Sequence, residues 1–258
     1  MLSSLVEKKK RHLWCLLLLL VAPHPLWAMH IAEGFLPLPW CISWYIVIIP
    51  FLLAGLYSIR KKIRHNPRIR LLLGIAGGLT FLLSALKLPS ITGSCSHMTG
   101  TGLGAVLFGP FVMTVVGMIV LLFQALLMAH GGITTLGANT FSMAVAGPLV
   151  AYMVYKVLAG LKSPQWLSVF MAAFLSDLAT YAVTAGQLAW AFPGDGGVMA
   201  SFVKFITVFA YTQLPLAVIE GVISVGVFNF LQNHSIEELK SLSVVKPVSA
   251  QSTCEPEK

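Results

Sequence analysis

Charged side chains are scarce in this 258-residue sequence, in which Asp, Glu, Lys and Arg together make up only 10% of the residues. Soluble domains carry about a quarter, and a mean hydropathy of +0.84 likewise argues against an ordinary soluble domain. Strands that alternate polar and apolar residues are also lacking, which excludes the pattern of a membrane-spanning β-barrel. We therefore predict that helices satisfy the backbone of this chain in lipid.

Cysteines and catalytic motifs are few as well. Cys41, Cys95 and Cys254 are too far apart to indicate a disulfide framework, and Cys15 lies in the leader described below. The sequence has no G-x-x-x-x-G-K-[ST] phosphate loop and no H-E-x-x-H. Asp177 and Glu220 are the acids of the apolar stretches, and we interpret them as helix-contact or coupling groups. We predict a non-catalytic protein, with a membrane metalloenzyme as the weaker alternative.

Long apolar stretches dominate what is present. Six of them reach or approach the roughly 18–20 residues that cross a bilayer as helix: 42–59, 71–88, 103–129, 141–159, 166–192 and 202–231. The net charge of +8 arises largely from clusters beside these stretches, at 8–11 and 60–70. That is the positive-inside pattern and not a nucleic-acid-binding face. We predict an all-α, polytopic protein of the bacterial inner membrane with no nucleic-acid partner.

The amino terminus has the pattern of a secretory leader. Four basic residues at 8–11 precede an apolar run of about ten residues, and small or turn-forming residues follow as far as Ala28. We predict a cleaved signal peptide over 1–28, with an uncleaved signal anchor as the alternative. We predict that residues 29–231 then form the transmembrane domain and that 232–258 form a polar cytoplasmic tail.

Counting the membrane crossings along the sequence places two histidines on one membrane face. If the new amino terminus is outside, the basic residues 60–64 fall inside after one span, and His97 returns to the side of Met29. Residues 101–130 count as one crossing in a six-span topology. The Gly109-Pro110 break divides them into two short passes in a seven-span topology. We prefer seven, because Lys156, Lys162 and the tail then lie inside. Gly74 and Gly78 form a small-residue face suited to close helix packing.

Signal-peptide removal would create a metal chelate. The Met29 amine, the His30 amide nitrogen and His30 Nδ1 can close five- and six-membered rings on one ion at little loop-closure cost. His97 is the candidate fourth ligand. Four nitrogens suit Ni(II) or Cu(II) and admit Co(II).

Other residues near these ligands have two interpretations. Cys95 is a candidate ligand, but a buried structural thiol is the favoured interpretation. In the segment 130–139, His130, Thr134 and Asn139 are candidates to cover the ion or orient its ligands. Alternatively, the glycines, threonines and Asn139 of this segment only satisfy helix ends, with Asn139 as an N-cap.

Taken together, these segments resemble the CbiM family, the cobalt-transport substrate-binding components of energy-coupling factor (ECF) transporters, and its nickel-binding relatives. The segments that carry the resemblance are 29–31, 33–37, 83–87, 93–97, 99–100, 121–125, 130–139, 177–181 and 220–221. The sequence departs from the family at Ala32, where Met is usual, and at Met98, where Pro is usual.

The resemblance implies seven spans and metal ligands at the Met29 amine, the His30 amide and ring, and the His97 ring. It implies Co²⁺ as the transported substrate, for cobalamin synthesis, with Ni²⁺ as the alternative. The implied partners are a membrane coupling (T) subunit, two ATP-binding subunits that hydrolyse ATP, and a small accessory membrane subunit. A stand-alone carrier or channel is the competing hypothesis, but only Gly109-Pro110 hints at the broken helices that it requires.

Overall fold

A computed structural model of the chain describes residues 30–86 and 96–235, together with 239 and 242. It describes the backbone alone at 27–28, 88–89 and 94–95. Most of the predicted signal peptide, Met29, the Cys95 side chain and nearly all of the tail beyond 235 therefore lie outside the described residues.

Seven helices make up most of the described chain. They are α1 (Leu38–His65), α2 (Ile69–Ala85), α3 (Thr101–Phe108), α4 (Pro110–Met128), α5 (Leu136–Gly160), α6 (Gln165–Ala191) and α7 (Gly197–His234). Within α5, a π-helical turn over Phe141–Ala146 separates two α-helical parts. The predicted all-α membrane fold is confirmed.

The lengths of these helices bear on the number of spans. Among the described residues, α1, α4, α5, α6 and α7 are long and apolar enough to cross a membrane, and α2 is a shorter apolar helix of 17 residues. Residues 101–130 form two helices, as the seven-span interpretation predicts. The first of them, α3, rises only about 12 Å, so it is not a full crossing by itself.

Proline and glycine set several helix boundaries. Pro110 occupies the first turn of α4, and Pro37 and Pro164 immediately precede α1 and α6. Proline is compatible with these positions because the first helical N–H groups have no intrahelical acceptor. Gly100 and Gly109 flank α3 at φ values of 68° and 90°, which glycine adopts most readily. The Gly109-Pro110 pair therefore ends one helix and starts the next.

Close contacts between helices occur at glycines other than the predicted pair. A Cβ on Gly102 would lie 2.9 Å from Ala173 Cα, and one on Gly117 would lie 2.6 Å from Ala144 Cβ. These contacts bring α3 against α6 and α4 against α5. Gly74 and Gly78 meet no described atom within 4 Å, so the expected close packing of that α2 face is not found in the described chain.

Three short strands precede α3. The central strand β3 (Ser94–Ser96) pairs in parallel with β1 (Trp27–Ala28) and antiparallel with β2 (Leu88–Pro89). Because β3 leads directly into His97, this pairing fixes the approach of the chain to that histidine.

The two ends of the helical bundle differ in charge. One end contains the connections between α1 and α2 and between α5 and α6. The end of α7 lies there as well, because Gln232 Nε2 donates to Gln165 Oε1 of α6 at 2.8 Å. We call it the basic end, because it carries most of the described lysines and arginines. These are Arg60, Lys61, Lys62, Arg64, Arg68, Arg70, Lys156 and Lys162, and Lys204 of α7 is the exception. The segments that carry His30, His97 and His130 lie at the opposite end, which we call the histidine end.

Candidate metal centre

Three histidines converge in the interior of the protein. His30, His97 and His130 are only 2%, 0% and 3% exposed. Their ring centroids lie 4.6 Å apart for His30 and His97, 4.8 Å for His30 and His130, and 5.1 Å for His97 and His130. One donor nitrogen from each ring lies within 4.8 Å of the others. We call these residues the histidine cluster, and imidazole nitrogens of this kind are common ligands of transition metals.

Three separate segments supply the cluster. His30 precedes α1, His97 lies between β3 and α3, and His130 follows α4. His130 lies between Ala129 and Gly131, whose φ values of 47° and 77° are both left-handed. The His130 amide donates to Gln124 O at 3.2 Å. This tight turn brings His130 back toward the other two histidines.

The backbone beside His30 is held by side chains of the 130–139 segment. Asn139 Oδ1 accepts from the Ile31 N–H at 2.9 Å, and Asn139 Nδ2 donates to Ile31 O at 3.1 Å. Thr135 Oγ1 donates to the same oxygen at 2.6 Å. The N-cap interpretation of Asn139 is wrong, because α5 begins at Leu136 and the Asn139 side chain serves Ile31 instead.

An outer layer of contacts covers this region. The Thr134 amide donates to Glu33 Oε2 at 3.1 Å, and the Glu33 amide donates to Gly131 O at 3.1 Å. Hydrogen bonding from Thr134 lowers the pKa of the exposed Glu33 carboxyl below its usual value. Thr134 is itself exposed, so it fastens the Glu33 segment and does not contribute to the buried cluster.

Helices α6 and α7 hold the His97 carbonyl. Tyr181 OH donates to His97 O at 3.0 Å, and Gln213 Nε2 donates to the same oxygen at 3.2 Å. Gln213 Nε2 also donates to Asp177 Oδ2 at 2.6 Å. Asp177 thus orients the amide that binds the main chain of a cluster histidine.

Glu220 of α7 binds the segment that follows His97. Its Oε2 accepts from the Thr99 amide at 2.6 Å, and its Oε1 accepts from Thr99 Oγ1 and the Gly100 amide, both at 2.9 Å. The carboxylate is fully buried, and charge-assisted hydrogen bonds of this kind are stronger than neutral ones. Sequence reasoning noted both buried acids but missed that Glu220 binds the loop carrying His97 and that Asp177 orients Gln213, which binds His97 O. Their position inside apolar helices was the available signal.

The structure thus brings together His30, His97 and His130. Asn139 binds the main chain of Ile31, the residue that follows His30. Met29 and the Cys95 side chain lie outside the described residues. An all-helical membrane protein with a buried cluster of three imidazoles, braced by buried polar side chains, has the features of a membrane carrier component for a transition-metal ion.

Comparison with known proteins gives the family. Residues 30–238 match the family described as "Cobalt uptake substrate-specific transmembrane region", CbiM. The chain is 57% identical over 241 residues to the cobalt transport protein CbiM of Moorella thermoacetica, covering 92% of this chain and 93% of that one. It is 55% identical over 226 residues to the protein of the same name from Nostoc, covering 87% of each. The chain belongs to the CbiM family of cobalt-uptake proteins, which are transporter components and not enzymes.

Solved structures share the fold. A crystal structure described as a truncated transition metal transporter superposes with a TM-score of 0.68 at 26% identity, covering 80% of this chain and 99% of that one. A second, described as a transition metal transporter, gives a TM-score of 0.71 at 24% identity, covering 84% and 100%. The second likeness concerns the fold alone.

Proposed function

We propose that the mature chain binds Co²⁺ outside the membrane through the Met29 amine, the His30 amide nitrogen and Nδ1, and the His97 ring, and delivers it inward. The observation that carries this proposal is the burial of the His30 and His97 rings against each other, with centroids 4.6 Å apart. Two buried imidazoles brought together from distant segments place two nitrogen donors of the kind that divalent first-row ions bind side by side.

Signal-peptide cleavage is part of the proposed mechanism. Cleavage after Ala28 would remove β1 from the edge of β3 and leave a free amine on the residue next to His30. An α-amine, a deprotonated amide and an imidazole would then come from two residues. Because all three must be unprotonated to bind the ion, metal binding releases protons.

The orientation follows from the charge of the two ends. Lysines and arginines concentrate at the basic end, and cytoplasmic loops of membrane proteins are enriched in these residues. The histidine end would accordingly face outward and receive the ion.

Family membership supports the proposal that partner subunits take part in moving the ion inward. We propose that the chain works with a membrane coupling subunit, two ATP-binding subunits and a small accessory membrane subunit in an ECF-type importer that supplies cobalt for cobalamin synthesis. Unchanged uptake of labelled cobalt in cells lacking the ATP-binding subunits would favour a stand-alone carrier instead. Nickel uptake by the same ligands is the alternative substrate assignment.

Amino-terminal sequencing of the purified protein, combined with metal analysis and uptake, tests the ligand set. We expect a mature chain starting at Met29, and we expect His30→Ala and His97→Ala each to abolish uptake of labelled Co²⁺. His234→Ala is the control, because His234 is exposed at the far end of α7. This variant should take up Co²⁺ normally. A mature chain with another first residue would remove the amine from the site and contradict the chelate.

A further inference from the structure

A narrow cleft lies beside the short helix α3, between α2 and α7. It has a volume of about 80 Å³, and its walls are almost entirely apolar. Leu72 and Leu79 of α2, Leu107 of α3 and Leu231 of α7 are among the residues that line it. Because α3 has only eight residues, it separates its longer neighbours over only part of their length.

One end of the cleft meets the loop that follows His97. Thr80 Oγ1 of α2 donates to Gly100 O at 3.2 Å, and a Cβ on Gly100 would lie 2.9 Å from Thr80 Cα. The Gly100 amide in turn donates to Glu220 Oε1 of α7 at 2.9 Å. Helix α2 therefore packs directly on the loop that carries a proposed ligand.

The carboxyl-terminal tail closes the other end of the cleft. Leu239 and Leu242 line it together with Ser235, which follows α7 directly. Leu239 is only 2% exposed and belongs to the same apolar core as Ile69, the first residue of α2, and Leu242 packs against that core. The Leu239 amide also donates to Ser235 O at 3.1 Å. We call Leu239 and Leu242 the tail latch, because they join α2 to the end of α7.

Helix α2 borders open space on two of its faces. Besides the cleft beside α3, a groove of about 490 Å³ lies between α2 and α4. Gly74 and Gly78 line this groove, and no described atom lies within 4 Å of a Cβ built on either of them. A helix bordered in this way can shift without compressing its neighbours, unlike a closely packed one.

We infer that the tail latch holds α2 at the basic end, and that its release lets α2 shift and displace the His97 loop after the ion has been captured. This inference rests on the proposed function and adds a moving element to it. The latch lies at the end proposed to face the cytoplasm, where the ATP-binding subunits would act. Thr80 lies about 16 Å along α2 from Ile69, so a rigid α2 connects the latch to the loop.

The first test locks the latch. In the full-length chain without its native cysteines, Leu72→Cys and Leu239→Cys are joined by a bis-maleimide linker that contains a cleavable disulfide. The linked protein is then assembled with its partner subunits in proteoliposomes. We expect the linked protein to bind Co²⁺ as the unlinked protein does, and uptake of labelled Co²⁺ to fall to the level seen without ATP. Cleavage of the linker by a reductant should restore uptake.

Gln165→Cys linked to Gln232→Cys is the matched control, because it joins α6 to α7 at the same end without involving α2. This link should leave uptake unchanged. Normal uptake with the latch linked, equal inhibition by both links, or loss of Co²⁺ binding in the latch-linked protein would each overturn the inference and leave the metal site intact. Failure of the unsubstituted protein to bind or take up Co²⁺ would overturn the proposed function itself.

The second test weakens the latch and does not depend on transport. In Leu239→Ser, we expect amide hydrogen exchange in α2 to become at least about tenfold faster, because burying a leucine side chain stabilises by more than that factor. Exchange in α6 should stay unchanged, which shows that the fold is intact. Leu161→Ser is the control, since Leu161 is exposed at the same end and should exchange like the unsubstituted protein. Unchanged exchange of α2 in Leu239→Ser would overturn the latch.

Discussion

At the scale of single residues, the site depends on hydrogen bonds to main-chain atoms beside the histidines. Ile31 O accepts from both Thr135 Oγ1 and Asn139 Nδ2, whereas the Ile31 N–H donates to Asn139 Oδ1. Asn139 thus serves both polar groups of the residue that follows His30, and Thr135 serves one of them. Because the proposed chelate includes the His30 amide, an error in the position of this short segment would misplace two ligand nitrogens together.

The two side chains should therefore differ in importance. Asn139→Leu leaves the buried Ile31 N–H without that acceptor, whereas Thr135→Val leaves Ile31 O with its second donor. We expect Asn139→Leu to weaken Co²⁺ binding by about 10- to 100-fold and Thr135→Val by clearly less, measured by metal titration of the purified variants. Equal affinities for the two variants would show that the Ile31 N–H contact does not position the site.

At the residue scale, the sequence was informative where the chemistry of cleavage or the number of membrane crossings applied. Cleavage chemistry and parity together indicated His30 and His97, which the structure brings together. The sequence named Asn139 as a candidate to cover the ion or orient its ligands, but its partner was not predictable, because Ile31 is 108 residues away and local patterns carry no information about such a contact. For the same reason, the sequence left open whether His130 approaches the other histidines or merely follows a helix.

At the scale of elements, α7 is the main support of the His97 loop. Gln213 binds His97 O, Glu220 binds Thr99 and Gly100, and Thr212 Oγ1 lies 2.6 Å from Ser96 Oγ. Pro215 lies between these contacts inside the helix, and proline removes a helical hydrogen bond and favours a bend. A displacement of α7 would therefore move the loop that carries a proposed ligand.

Replacing the Glu220 carboxylate tests this support. In Glu220→Gln, one amide NH₂ replaces an acceptor oxygen and faces an N–H or O–H donor of Thr99 or Gly100. We expect a loss of about 1–3 kcal/mol in the free energy of unfolding, the cost of a buried donor left unsatisfied. We also expect weaker Co²⁺ binding, because His97 lies two residues before Thr99.

Asp195→Asn is the matched control for Glu220→Gln, since it makes a similar change in an exposed acid between α6 and α7. Asp195→Asn should match the unsubstituted protein both in thermal unfolding and in metal titration. If Glu220→Gln unfolds at the same temperature and binds Co²⁺ equally well, the carboxylate does not hold the loop.

At the scale of the whole molecule, the short helix α3 explains why the sequence left the span count open. The eight residues of α3 lack the length of a crossing, and only the Gly109-Pro110 break signals that the chain reverses there. In the structure α3 is packed within the protein, and all eight of its residues are buried. A helix shielded from lipid in this way does not need the length of a lipid-exposed span.

This arrangement predicts the side on which each connection lies. The connection between α5 and α6 would be cytoplasmic if α3 and α4 together return the chain to the outer face, and external if residues 101–130 cross only once. In a variant without its native cysteines, we expect Ser163→Cys to react with a membrane-impermeant maleimide only after the cells are permeabilised. Asp195→Cys, in the connection between α6 and α7, should react in intact cells. Asn66→Cys, which is cytoplasmic in both topologies, is the control for membrane integrity. Labelling of Ser163→Cys in intact cells while Asn66→Cys stays protected would mean that 101–130 crosses once, and the basic end would then be divided between the two faces.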